Sequence, residues 1–266
     1  MIIKAIDSHL HADILIKNNP DFLSVYEKNS CGGISWCFVE EIKSFNEYET
    51  IWNDLKDLIY KFSTKIPFFY MVGIHPRSIP EDLVDQKELP LSIKDLLKKH
   101  LADPRCVGIG EIGIDTEEFF DREVKILRWQ LEWCIENLPE NKKIGIHTPK
   151  NNKEKITEEI LKLLEEYPEL KSKILIEHTT PITWNWAFSE GYMCGVTLQR
   201  GKCTLKDLEE IIEKDSRSEE NTILNSDSAY EISDYFLDFL NNSLFDESIR
   251  KKILLENSKN FFNLDF

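Results

Sequence analysis

No apolar run of about 18 residues occurs in the chain, so no membrane-spanning helix is expected. None of the six cysteines (31, 37, 106, 134, 194 and 203) forms a C-x-x-C pair, so neither a zinc ribbon nor a thioredoxin-like site is signalled. They read instead as buried small hydrophobes. No G-x-G-x-x-G follows the first candidate strand, which counts against a dinucleotide fold. There are no short repeats and no low-complexity tracts. Positive charge is scarce: 33 Lys and Arg face 48 Asp and Glu, a formal net charge of −15. That balance disfavours generic nucleic-acid binding, although bound metal ions would reverse the field where a phosphate sits. The stretch from Met1 to Asp7 lacks the charged start and apolar centre of an export signal, so a cytoplasmic location is expected.

What is present is alternation. Eight short β-branched runs read as strands: Ile2–His9, Gly33–Val39, Phe68–Ile74, Val107–Ile112, Lys143–His147, Ile174–His178, Tyr192–Leu198 and Thr222–Asp227. Helical spacing separates them. Trp52, Leu55, Ile59 and Phe62 share one face, as do Val124, Leu127, Leu131, Cys134, Ile135 and Leu138. Ile156, Ile160, Leu163 and Leu164 form a third pattern, stopped at Tyr167-Pro168, and a last one runs from Glu247 into Phe261. Eight β/α units in 266 residues predict a (β/α)8 TIM barrel, one domain over 1–266. An open doubly wound sheet is the other arrangement this alternation allows. The charged segment Glu209–Asn221 reads as a solvated helix end rather than a linker.

In such barrels chemistry sits at the C-terminal strand ends. The first strand ends in His9-Leu10-His11, two imidazoles placed on one side by strand alternation. The fourth ends in Gly110-Glu111-Ile112-Gly113, the fifth at His147, the sixth at Glu177-His178 and the eighth at Asp227. Each residue alone has an ordinary explanation, such as a helix cap or a satisfied core histidine. Together His9, His11, Glu111, His147, His178 and Asp227 predict a metal cage. A mononuclear catalytic zinc needs only three protein ligands, so six candidates suggest two divalent ions with Glu111 as the bridge. His and carboxylate ligands accept zinc, manganese, cobalt, nickel or magnesium.

These segments, with Gly73-Ile74-His75-Pro76, Ser226-Asp227-Ser228 and Glu256-Asn257-Ser258-Lys259-Asn260-Phe261, occur in the order seen in TatD-like metal-dependent hydrolases of the amidohydrolase type. The resemblance spans nearly the whole chain. The stretch from His178-Thr179-Thr180 to Gly201-Lys202 most resembles an archaeal branch of predicted TIM-barrel hydrolases. The resemblance implies that His9, His11, Glu111 and Asp227 hold one ion and that Glu111, His147 and His178 hold the other. It further implies that Asp227 orients or deprotonates water, and that His75 lies near the substrate phosphate or just behind the metal ligands. Two departures sit beside the ligands. His178-Thr179-Thr180-Pro181 replaces the usual His-Cys-Phe-Ser-Gly, and Asn225 replaces an acidic residue. Both bear on the substrate and leave the cage intact.

Other residues are weaker candidates. Arg77, Arg200 and Lys202 are cations expected to bind an anionic substrate. Asp7, two before His9, is a candidate to orient it. His100 reads as a solvent residue favoured by a helix C-terminus, and Trp184 and Trp186 as packing residues. The expected function is hydrolysis of a phosphoester, with single-stranded DNA cut from its 3′ end as one substrate. Hydrolysis of an amide, ester or lactone is the second reading, and a metal-binding scaffold without turnover the third.

Overall fold

Each β-branched run becomes one strand of a single parallel sheet in the computed structural model, which describes residues 2–242 and 245–266. The strands are β1 Ala5–Leu10, β2 Cys31–Trp36, β3 Phe68–Val72, β4 Cys106–Gly113, β5 Lys143–His147, β6 Ile174–Ile176, β7 Met193–Thr197 and β8 Thr222–Asn225. They neighbour one another in sequence order. The ring is drawn shut where Asp227 N–H donates to the His9 carbonyl and His11 N–H to the Ser228 carbonyl, each at 2.8 Å. This is the expected (β/α)8 barrel, with helices between the strands. β6 and β8 stop two residues short of the expected ends. His178 and Asp227 take left-handed backbone angles (φ 57° and 49°), which break the ladder there.

The barrel interior has two layers. Ile6, Ile34, Met71, Val107, Leu175 and Ile223 fill its lower half and pack against Phe262 and Leu264 near the C-terminus. Trp36 lies across the middle. Its indole N–H donates to the Ser8 carbonyl at 2.7 Å, and its ring passes over Gly145, where a Cβ would come within 1.8 Å of it. Above Trp36 the interior turns polar.

Two register shifts produce that change, one between Asp7 and Leu10 in β1 and one between Ile109 and Ile112 in β4. Such irregularities re-aim side chains beside functional sites. In β1 the shift turns His9 inward onto Trp36 (ring centroids 4.2 Å, 6° apart), whereas Asp7 bonds the Tyr26 hydroxyl at 2.6 Å and the Ser226 backbone at 2.9 Å. Strict alternation would put both residues on one side. Asp7 therefore does not touch the His9 ring; its contact with His9 is to the backbone N–H, at 3.5 Å. Burial raises its pKa to about 6 despite those partners.

The predicted helical patterns lie in Tyr48–Phe62, Phe120–Asn137 and Lys153–Leu164, and the last one is split by a π turn at Lys252–Glu256. His100 differs from its expectation. It extends the apolar face of Leu91–Leu101 formed by Ile93, Leu96 and Leu97, so it is buried and bonds the Tyr70 hydroxyl at 3.1 Å. All six cysteines are buried free thiols. Trp184 is buried, stacks on Phe188 and donates to the Thr222 hydroxyl, which is a packing role.

Candidate metal centre

The upper layer brings the six cage candidates together around Glu111. Its Oε1 lies 2.6 Å from His147 Nδ1 and 2.8 Å from His178 Nε2. Its Oε2 lies 3.2 Å from His75 Nε2 and 3.4 Å from His9 Nε2. One carboxylate thus faces two imidazoles with each oxygen, the geometry of a bridge. Asp227 completes the side nearest β1, with its Oδ1 3.1 Å from His11 Nε2 and 3.6 Å from His9 Nε2. Among the described residues, His9, His11 and Glu111 offer donor atoms within 4.8 Å of one another, and so do His9, His178 and Asp227, and His75, Glu111 and His147.

The donor chemistry fits a bound cation. His11 Nδ1 lies 3.0 Å from the Trp36 carbonyl, which can only accept, so Nδ1 carries the hydrogen of the neutral ring. Its Nε2 lone pair then faces a carboxylate oxygen, and a cation between the two would satisfy both. Neither ring nitrogen of buried His9 has a hydrogen-bond partner, although carboxylates surround it. Burial alone would push its pKa down; Glu111 and Glu177 override that and raise it to about 10. Glu111, raised by burial but opposed by His9, His147 and His75, is held well below the usual carboxylate range. Asp227 is likewise held low: Lys202, which contacts its Oδ2, and then His178 outweigh burial. The same field favours protons on His9 and His147; a cation that displaced them would meet carboxylates and neutral imidazoles, the set suited to zinc and its neighbours.

His75 belongs to a different role. Its Nδ1 accepts the Arg77 backbone N–H at 3.0 Å, so Nε2 carries the hydrogen and points it at Glu111. Burial lowers its pKa to about 4, which keeps the ring neutral. It is a donor beside the cage rather than a ligand. Arg77 is not a free cation either. It holds Asp115 in a two-pronged pair at 2.7 and 2.9 Å, and Asp115 in turn faces His147 Nε2 at 2.8 Å. Asp115 carries the orienting role behind a ligand that Asp7 does not. Its sequence signal was its place two residues beyond the Gly113 that ends β4.

The cage opens into a cavity of about 600 Å³. Its lining includes Lys150 and the helix-opening Lys153 after β5, Arg200 and Lys202 after β7, and Phe38, whose ring packs on His11 and His75. Arg200 is exposed at the mouth and Lys202 half-buried. Lys153, unremarked in the sequence because it opens a helix, donates to the His178 carbonyl at 2.7 Å and the Thr148 hydroxyl at 2.9 Å. Burial and then Lys202 lower its pKa to about 7.

Residues 6–230 match the family model described as TatD related DNase. The chain belongs to that family. An uncharacterised metal-dependent hydrolase of Methanocaldococcus jannaschii is 34% identical over 146 residues, which are 53% of this chain and 51% of that one. The chain thus aligns with about half the length of that curated relative. The TatD-like protein of Archaeoglobus fulgidus shares the fold at TM-score 0.75 and 24% identity, covering 97% of this chain and all of that one. A TatD family hydrolase of Entamoeba histolytica gives TM-score 0.63 at 15% identity, over 99% of this chain and 94% of that one.

Proposed function

We propose that this TatD family member is a metal-dependent hydrolase of phosphoesters, with the 3′ end of single-stranded DNA as a substrate. The observation that carries the reading is the basic lining. In a chain of net charge −15, Arg77, Lys150, Lys153, Arg200 and Lys202 line the cavity that holds the cage, against Glu154 and Glu231 as the acidic lining outside the cage. That local field attracts an anion where the bulk field repels it. Lys153 adds to the case, because a phosphate in the cavity would restore the positive charge that burial and Lys202 weaken.

His9, His11, Glu111 and Asp227 would hold one divalent ion, and Glu111, His147 and His178 a second. Ions bound there supply Lewis acidity toward phosphoryl oxygens and make water more acidic. The chain does the rest. Asp227 accepts the proton of the attacking water through Oδ2 once Lys202 leaves it for the substrate. Lys202 and Lys153 hold the phosphate, His75 donates through Nε2–H, and Arg77 keeps Asp115 behind His147. The six buried free thiols suit a reducing compartment, and we place the reaction in the cytoplasm.

The test is hydrolysis of a single-stranded oligonucleotide and of a simple aryl phosphodiester by protein loaded in turn with zinc, manganese, cobalt, nickel and magnesium. Asp227→Ala is the control. Metal-dependent cleavage that the variant loses supports the reading. Cleavage of an ester, amide or lactone with no phosphoester turnover would replace it with the carbonyl reading.

A further inference from the structure

We infer that Glu177 is a positioning residue serving two cage histidines at once, His9 directly and His178 through Asn225 and Thr197. The inference rests on the reading of the cage as a metal site. Glu177 is fully buried at the top of β6, one residue before His178. Its Oε2 accepts the Asn225 side-chain N–H at 2.7 Å. That fixes the amide: Asn225 Oδ1 is turned toward Thr197, whose hydroxyl donates to it at 2.8 Å. The hydroxyl has one hydrogen, now committed, so toward His178 Nδ1 at 2.7 Å it can only accept. Lys202 Nζ also lies 3.4 Å from Nδ1, but it is the more distant partner and is engaged by Asp227. The chain of donors therefore places the ring hydrogen of His178 on Nδ1 and leaves the Nε2 lone pair facing Glu111 Oε1.

The other oxygen works on the opposite side. Glu177 Oε1 and His9 Nδ1 are 3.7 Å apart, and both are buried without a hydrogen-bond partner. A hydrogen on His9 Nδ1 is the one species that answers both of these unpartnered atoms, and it turns Nε2, the nitrogen facing Glu111 and Asp227, to the cage. The barrel makes room for this carboxylate. A Cβ on Gly195 would come within 2.1 Å of Glu177 Oε2, so the bare backbone of β7 admits it. Partners of this kind fix the tautomer and orientation of ligand histidines. Here one carboxylate does so for two rings on different strands.

The test uses the full chain, labelled with ¹⁵N at histidine and stripped of metal, and long-range ¹H–¹⁵N spectra that report which ring nitrogen carries the hydrogen. The expected result is Nδ1–H at His178 in the wild type and in Thr197→Ser, and its loss in Thr197→Val and Asn225→Leu. Glu177→Leu is expected to disturb His9 and His178 together. Manganese binding, followed by the resonance of the free ion, is expected to weaken about 10–100-fold in Thr197→Val and to stay within about threefold in Thr197→Ser. An unchanged His178 tautomer with unchanged manganese affinity in Thr197→Val overturns the inference, as does Nε2–H in the wild type. The failure of the cage reading looks different: the wild type itself binds neither manganese nor zinc, while the tautomer still reports on Glu177. Should Glu177→Leu fail to fold, the Thr197 pair decides alone.

Discussion

Along β6 the interior changes character within three residues. Leu175 faces the apolar plug of the lower barrel, and Glu177 faces imidazoles and an amide. The same transition separates Ile6 from His9 in β1, Val107 from Glu111 in β4 and Ile223 from Asn225 in β8. Below, the residues fill space and lose nothing by meeting one another. Above, three buried or half-buried carboxylates converge, and imidazoles, Lys202 and the more distant Arg77 and Lys153 oppose their repulsion. The lower layer is built for stability, and the upper one gathers buried charges whose desolvation their partners must offset. Proteins commonly concentrate such local cost at the working site.

The largest effect should come from breaking the upper layer. Glu111→Gln removes the charge that both halves of the cage share, and hydrolysis is expected to fall by on the order of 10⁴, as when one member of a catalytic unit is lost. The metal-free variant should unfold at a lower temperature than the wild type, because the imidazoles that hold the Glu111 carboxyl low lose their charged partner. A calorimetric scan beside the rate measurement checks both halves, and an unchanged or raised unfolding temperature would contradict this account of the cage. The rate should respond differently below: Leu175→Ala, at a fully buried position, should lower stability by about 2–5 kcal/mol while leaving the rate per folded molecule nearly unchanged. Denaturant titration with active-site counting by bound metal separates those quantities.

A smaller effect sharpens the border between the layers. Gly145→Ala drives a methyl into the Trp36 ring, on which His9 is stacked. Overpacking of this kind costs about 1–3 kcal/mol, and it should also loosen metal binding because the floor under His9 tilts. Unchanged metal affinity with reduced stability would show Trp36 to be filler alone.

Much of the upper layer was legible because its ligands end apolar strands. His147 and His178 close β-branched runs, and Glu111 lies between glycines, so strand ends could be lined up without coordinates. The support behind them was not. Asp7 has the spacing to assist His9, but a register shift, invisible in residue types, turns it away. Arg77 reads as a substrate cation and does line the cavity, but its fork with Asp115, 38 positions later, has no signal in the sequence. Glu177 and Asn225, 48 positions apart, make sense only as a pair: each looks like a neighbour of a ligand, and their hydrogen bond shows what both are for. Periodicity identifies which face a residue takes, whereas long-range polar pairing depends on closure of the ring.

The mildest test compares histidines across the molecule. His100, packed between Tyr70 and Trp52 outside the barrel, has its pKa lowered to about 4, by burial first and then by Lys56 and Lys99. His9 moves the other way because carboxylates surround it. An unfolded chain takes up a proton at its histidines near pH 6.5. Folded His100 refuses that proton down to about pH 4. Its contribution to stability is therefore fully present above about pH 7 and declines as the pH falls through that window. His100→Gln keeps an amide for the Tyr70 hydroxyl and removes the titration. Melting temperatures from pH 8 to pH 4 should then fall less steeply in the variant than in the wild type between about pH 6.5 and 4. Parallel curves would mean that His100 takes up its proton in the fold as readily as in the unfolded chain, and that burial costs its charged ring less than its neutral neighbours indicate.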